Sequence, residues 1–168
     1  LAALLYGPRD APSLVVAPTS VMHGWVDEAR RFAPELRVAT WHGAGRRVET
    51  LDRADLVVTT WALLRRDIDR LAEREWAWAV LDEGQQIKNP ASQTARAARR
   101  LRARHRLVLT GTPLENDLLE LWSLFQFLMP GYLGRRSAFH ARYAVAGRQG
   151  GGPALEELAE RIRPFLLR

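Results

Sequence analysis

Two apolar runs, each stopping abruptly at polar residues suited to chemistry, constrain the fold most. The first is Ala79-Val80-Leu81 followed by Asp82-Glu83-Gly84-Gln85. The second is Leu107-Val108-Leu109 followed by Thr110-Gly111-Thr112-Pro113-Leu114-Glu115-Asn116. The interval between them has room for one crossover helix, as a βαβ unit requires. In open α/β sheets chemistry collects at the carboxyl ends of parallel strands. Two such ends side by side, one with adjacent carboxylates and one with a hydroxyl–glycine–hydroxyl turn, point to a nucleotide-hydrolysis site.

The rest of the chain fits an α/β layer structure. Short apolar runs alternate with amphipathic stretches, the pattern of a parallel sheet covered by helices. Strands are expected at 13–17, 36–41, 55–60, 78–81 and 107–109. Helices are expected from Thr19 or Ser20, as cap, to Phe32, then at 46–52, 63–73, 92–103 and 117–129. After Gly131 the alternation stops, and two helical stretches follow, 135–146 and 154–162, separated by a glycine-rich linker. The division is therefore an α/β unit over 1–131 and a helical extension over 132–168.

At 168 residues the chain can bury a sizeable core as one domain. No apolar run is long enough for a membrane-spanning helix, and the absence of cysteine fits a cytoplasmic protein. The net charge of +6 favours a polyanionic partner. Lys88 is the one lysine among 25 basic residues, which fits either a GC-rich genome or selection for phosphate contacts. The arginines at 96, 99, 100, 102 and 104 suit a solvated helix face or a nucleic-acid contact. Arg46 and Arg47, just after a strand end, lean towards phosphate. The histidines lack metal-ligand spacing, and Trp25, Trp61 and Trp122 read as packing residues.

An Asp-Glu pair after a strand is by itself often a helix cap or a solvated pair, but the ordered set of motifs says more. Asp82-Glu83-Gly84-Gln85 with Ile87-Lys88-Asn89, then Leu109-Thr110-Gly111-Thr112-Pro113-Leu114-Glu115-Asn116, resembles motifs II and III of SWI/SNF-type DNA-dependent ATPases of helicase superfamily two. Ala17-Pro18-Thr19-Ser20 with Trp25 and Glu28 resembles motif Ia, and residues 55–61 resemble motif Ib. The segments 121–131 and 162–168 resemble family stretches that precede the second lobe.

The resemblance implies a RecA-like first lobe, ATP and Mg²⁺ as cofactors, and double-stranded DNA as partner. It implies that Asp82 holds Mg²⁺ through water and that Glu83 activates the hydrolytic water. Gln85 stands where many relatives carry histidine. Thr110, Gly111 and Thr112 would couple the nucleotide site to DNA. Pro18, Thr19, Ser20, Thr59 and Thr60 would touch phosphates of the tracked strand, a natural task for hydroxyls and helix N-termini.

A phosphate-binding loop of the form G-x-x-x-x-G-K-[ST] occurs nowhere in the sequence. Leu1-Ala2-Ala3-Leu4-Leu5 looks like the tail of a helix already under way, so a fragment is expected. The phosphate loop and its strand would lie upstream, and the second lobe with its arginine fingers beyond Arg168. Such a fragment should be nearly inert as an ATPase, and its unpaired sheet edge should make it marginally stable. The alternative is a non-catalytic lobe that binds nucleic acid or a partner. An RNA helicase fits less well, because such enzymes usually have Ser-Ala-Thr where this chain has Thr110-Gly111-Thr112.

Overall fold

The computed structural model describes residues 10–111, 118–144 and 152–167. Five strands form one sheet: β1 Ser13–Ala17, β2 Val38–Trp41, β3 Leu56–Thr60, β4 Glu75–Leu81 and β5 Arg102–Val108. Their order is β2-β3-β1-β4-β5 and every pairing is parallel. The helices are α1 Thr19–Phe32, α2 Val48–Asp52, α3 Trp61–Arg66, α4 Ile68–Ala72, α5 Gln93–Arg100, α6 Leu118–Leu128, α7 Arg136–Phe139 and α8 Pro153–Ile162. A π-turn, His140–Ala144, follows α7, and 3₁₀ turns occupy Gly84–Ile87 and Arg163–Phe165.

The strand order explains where a site can form. The chain leaves β1 for β2, returns to β3, then crosses to β4 on the other side of β1. Direction therefore reverses between β1 and β4, and a crevice opens beyond their carboxyl ends. Asp82 sits there, its N–H bonded to the Val16 carbonyl at 2.8 Å.

Side-chain alternation along β1 divides the core. Leu14 and Val16 face a large cluster with Trp76, Leu64, Leu71, Ala98 and Phe127. Val15 and Ala17 face α1, through Met22, Val26 and Ala29. Each fully buried aliphatic side chain contributes about 1.5–3 kcal/mol, so these two layers dominate stability. A third cluster joins α6 to the C-terminal helices through Leu121, Phe125, Phe139, Tyr143, Leu158 and Ile162.

Several boundaries differ from those expected. The helix expected to reach residue 103 ends at Arg100, and β5 begins at Arg102 rather than 107. The segment Arg102-Ala103-Arg104-His105-Arg106 is too polar to advertise a strand, yet charge is what an exposed edge tolerates. Likewise β4 starts at Glu75, three residues before the apolar run suggests. The helix expected over 63–73 is two helices, broken at Asp67 (φ −110°, ψ 19°). Its carboxylate receives the Trp41 indole N–H and the Arg46 guanidinium at 2.9 and 2.8 Å. Neither Thr19 nor Ser20 caps α1; Pro18 is the N-cap residue, with no side-chain cap bond. The start expected at Asp117 and the linker residues 147–151 lie outside the described residues.

Candidate active site

Asp82 is held on three sides. Its Oδ2 accepts the Trp25 indole N–H at 2.7 Å, and its Oδ1 accepts the Glu83 backbone N–H at 3.0 Å. Its backbone carbonyl accepts the Trp61 indole N–H at 3.1 Å. Each carboxylate oxygen still has a second acceptor site open.

The chain turns sharply at Glu83, the one non-glycine residue with positive φ among those described (φ 55°, ψ 56°). Such a backbone costs on the order of 1 kcal/mol or more and persists only where surroundings enforce it. Here Gly84 does so. Its N–H bonds the Leu109 carbonyl at 2.8 Å, and a Cβ at this position would lie 2.1 Å from Val108 Cγ1. The turn is thus pressed against the end of β5, and only glycine fits. Behind it, Ser123 of α6 donates to the Ile87 carbonyl at 2.6 Å and pins the 3₁₀ turn.

This packing brings both polar strand ends together. Thr110 Oγ1 donates to Gln85 Oε1 at 3.1 Å, and Gln85 Nε2 donates to Glu83 Oε2 at 2.7 Å. One hydrogen-bonded chain therefore runs from the tip of β5 to the glutamate after β4. Asp82, Glu83, Thr110 and Gly111 border a cavity of about 400 Å³ whose other wall includes Phe125 and Phe165. Thr112 lies outside the described residues.

No cation pairs with Asp82 or Glu83 among the described residues. Two half-exposed carboxylates with free lone pairs make a hard-oxygen donor set. It suits Mg²⁺, which keeps several waters and takes one or two carboxylates beside substrate phosphates. Asp82 and Glu83 would be the residues near that ion.

The residues expected at nucleic acid divide. Thr19 and Ser20 are exposed at the N-terminus of α1, beside half-buried Pro18. Their hydroxyls are not used as caps, and the first-turn N–H groups of a helix attract anions. Thr59 is different: its side chain is fully buried and donates to the Trp41 carbonyl at 2.9 Å. Thr60, also buried, accepts from Leu63 N–H as the cap of α3. Arg46 is largely buried against Asp67, lies over the Trp41 ring and donates to the Gly43 carbonyl. Arg47 is exposed and borders an open recess with Arg53.

Sequence reasoning missed two contacts to Asp82, those of Trp25 and Trp61. Both were read as packing residues. The available signal was position: Trp25 lies in the second turn of the helix that follows β1, the neighbour of β4, and Trp61 directly follows the end of β3, the next strand over.

Comparison with known proteins agrees with this fold. Residues 2–168 match the model of the SNF2-related domain. The chain is 41% identical over 176 residues to the Saccharomyces cerevisiae TATA-binding protein-associated factor MOT1, covering 95% of this chain and 9% of that protein. It is 40% identical to YwqA of Bacillus subtilis, covering 96% of this chain and 18% of YwqA. Among solved structures, the Sulfolobus solfataricus SWI2/SNF2 ATPase core in complex with dsDNA superposes with a TM-score of 0.90 at 41% identity. That match covers 99% of this chain and 35% of the other.

Proposed function

Because the chain belongs to the SNF2-related domain family, we propose that it forms the first-lobe half of the ATP-hydrolysing site of a DNA-dependent ATPase. The whole protein would translocate on double-stranded DNA and remodel what is bound to it. The observation that carries this reading is the hydrogen-bonded chain Thr110–Gln85–Glu83 beside the tethered Asp82.

Phosphoryl transfer needs little covalent chemistry from the protein; positioning and charge stabilisation do most of it. Bound Mg²⁺ would supply positive charge to offset the charge that develops on the phosphate. Asp82 would hold that ion, through water, with the lone pairs its hydrogen bonds leave free. Glu83 orients the attacking water and takes its proton. Gln85 fixes the Glu83 carboxylate, and Thr110 fixes Gln85, so any shift at the tip of β5 changes where Glu83 points. Thr19 and Ser20, at an uncapped helix start, contact strand phosphates, and Arg47 adds a solvent-facing cation. Thr59, Thr60 and Arg46 support those contacts from inside the fold.

The 168 residues contain no glycine-rich phosphate loop, so alone they are expected to hydrolyse ATP no faster than background. The test is ATP turnover by the full-length protein carrying this chain, with and without duplex DNA, in wild type and Glu83→Gln. DNA-stimulated turnover that vanishes in the variant is the expected result. A folded full-length protein with no hydrolysis would instead favour a binding module.

A further inference from the structure

Two indoles end on one residue. Trp25, in the second turn of α1, bonds the Asp82 carboxylate at 2.7 Å, and Trp61, the first residue of α3, bonds the Asp82 carbonyl at 3.1 Å. The two helices follow β1 and β3 respectively. They are the elements that begin at the residues read from sequence as nucleic-acid contacts, 18–20 and 59–60. We propose that Trp25 is a positioning residue that transmits DNA engagement at the start of α1 to the metal-holding carboxylate of Asp82, with Trp61 fixing the backbone against which it works. The proposal rests on the functional reading above and deepens it.

The mechanics follow from the helix. Thr19 and Trp25 lie six residues apart, about 9 Å along the axis, within one continuous 14-residue helix. A helix this short moves as a rod, and Met22, Val26 and Ala29 seat it on the sheet. A displacement of its N-terminus by a phosphate therefore reappears at the Trp25 ring. Asp82 cannot follow as a whole. Its N–H is tied to Val16, and its carbonyl to Trp61, which is itself buried. What remains to respond is the orientation of the carboxylate, whose Oδ1 accepts the Glu83 backbone N–H and whose Oδ2 is held by the Trp25 N–H. An indole N–H is a donor only, so it favours one orientation of the carboxylate oxygen that accepts from it. Partners that orient a metal-binding group in this way typically alter metal affinity or activity by about 10–100-fold when removed.

The experiment uses the full-length protein and Mn²⁺ as the spin-active probe. Mn²⁺ binding is followed by electron paramagnetic resonance in the presence of a non-hydrolysable ATP analogue, with and without a short DNA duplex. Trp25→Phe is expected to weaken Mn²⁺ binding about tenfold and to abolish the gain that duplex produces. DNA affinity without nucleotide should stay within twofold of wild type. In an Asp82→Asn background the same Trp25→Phe change should have less than a twofold further effect, because the shared interaction is already altered. Should Trp25→Phe fold poorly, the benzothienyl isostere of tryptophan at position 25, in which sulfur replaces the N–H, preserves ring size and removes only the donor. Mn²⁺ binding within twofold of wild type in a folded variant would overturn the proposal. An equal loss with Asp82 and with Asn at position 82 would also overturn it, since the effect would then not pass through that carboxylate. If wild type itself binds no Mn²⁺–nucleotide complex, the functional reading falls, and this inference with it.

Discussion

The carboxylates at the amino end of the sheet and the pair that follows β4 are treated in opposite ways. At the amino end each is clamped by arginine. Asp55, just before β3, takes a forked pair of bonds from Arg37 at 2.8 and 3.0 Å, plus the Arg37 backbone N–H. Asp10 and Glu75 share Arg104 of β5. At the carboxyl end, Asp82 and Glu83 have neutral donors and no arginine among the described residues, although the chain is rich in arginine. The same residue type closes the sheet at its amino end and stays available beyond β4. Charge left uncompensated at a strand tip costs stability, and it persists where a ligand cation will meet it.

The sharpest way to break this contrast is to neutralise the available end. In the full-length protein, Glu83→Gln keeps the shape and its acceptor oxygen but removes the base. Turnover is expected to fall about 10³-fold, within the range for loss of a general base, while the melting temperature stays unchanged. Turnover within tenfold of wild type would mean that the proton leaves by another route.

Next in size is the turn that presents Glu83. Gly84→Ala drives a methyl into Val108 at 2.1 Å, and Val108 is too short and stiff to swing away. Separating β5 from the turn is expected to cost about 1–3 kcal/mol, seen as a lowered melting temperature. Turnover should drop too, because the bond from Thr110 to Gln85 spans that gap. An unchanged melting temperature would show that the contact relaxes freely.

How much of this was legible in the sequence varies by element for physical reasons. The buried strands β1 and β3 are short apolar runs, and periodicity found them to within a residue. The edge strand β5 is legible only at its apolar end, 107–108, because its first half is half-exposed and carries arginine and histidine, the latter packed at 4.6 Å on Trp78. The carboxylates after β4 are singled out in sequence by the ordered set of motifs around them, because an Asp-Glu pair at a strand tip is by itself often a helix cap or a solvated pair. The burial of Thr59 and Arg46 was not legible. A threonine that faces phosphate and one that bonds a neighbouring strand's carbonyl look alike in one dimension. Asp67, which breaks one expected helix into two, collects partners from β2 and from the loop after it, and no local pattern encodes that.

Thr59 therefore offers a finer test of which strand-tip polar groups serve the fold. Thr59→Val keeps the volume and removes the bond to the Trp41 carbonyl. A loss of about 1 kcal/mol in stability is expected, with DNA affinity unchanged. A large loss of DNA affinity at unchanged stability would return Thr59 to the nucleic-acid interface.

The smallest effect sits at the clamped end and depends on pH. The Asp10 pKa is lowered, chiefly by its hydrogen bond from Arg104, and the Arg104 pKa is raised in turn. A carboxyl group with a depressed folded-state pKa stabilises the fold above its unfolded value of about 3.8–3.9. That contribution disappears as pH falls through the lower folded value. Arg104→Gln removes the cause, so the melting-temperature gap between wild type and variant should be greatest near neutral pH. It should narrow as pH approaches about 3, where carboxylates protonate in both proteins. Because Asp10 is open to water, the gap should be small and should shrink with added salt. A gap that stays constant from neutral to acid pH would mean that Arg104 acts by packing along the β5 edge. The amino end would then be closed by shape, and the contrast with the carboxylates beyond β4 would rest on their exposure alone.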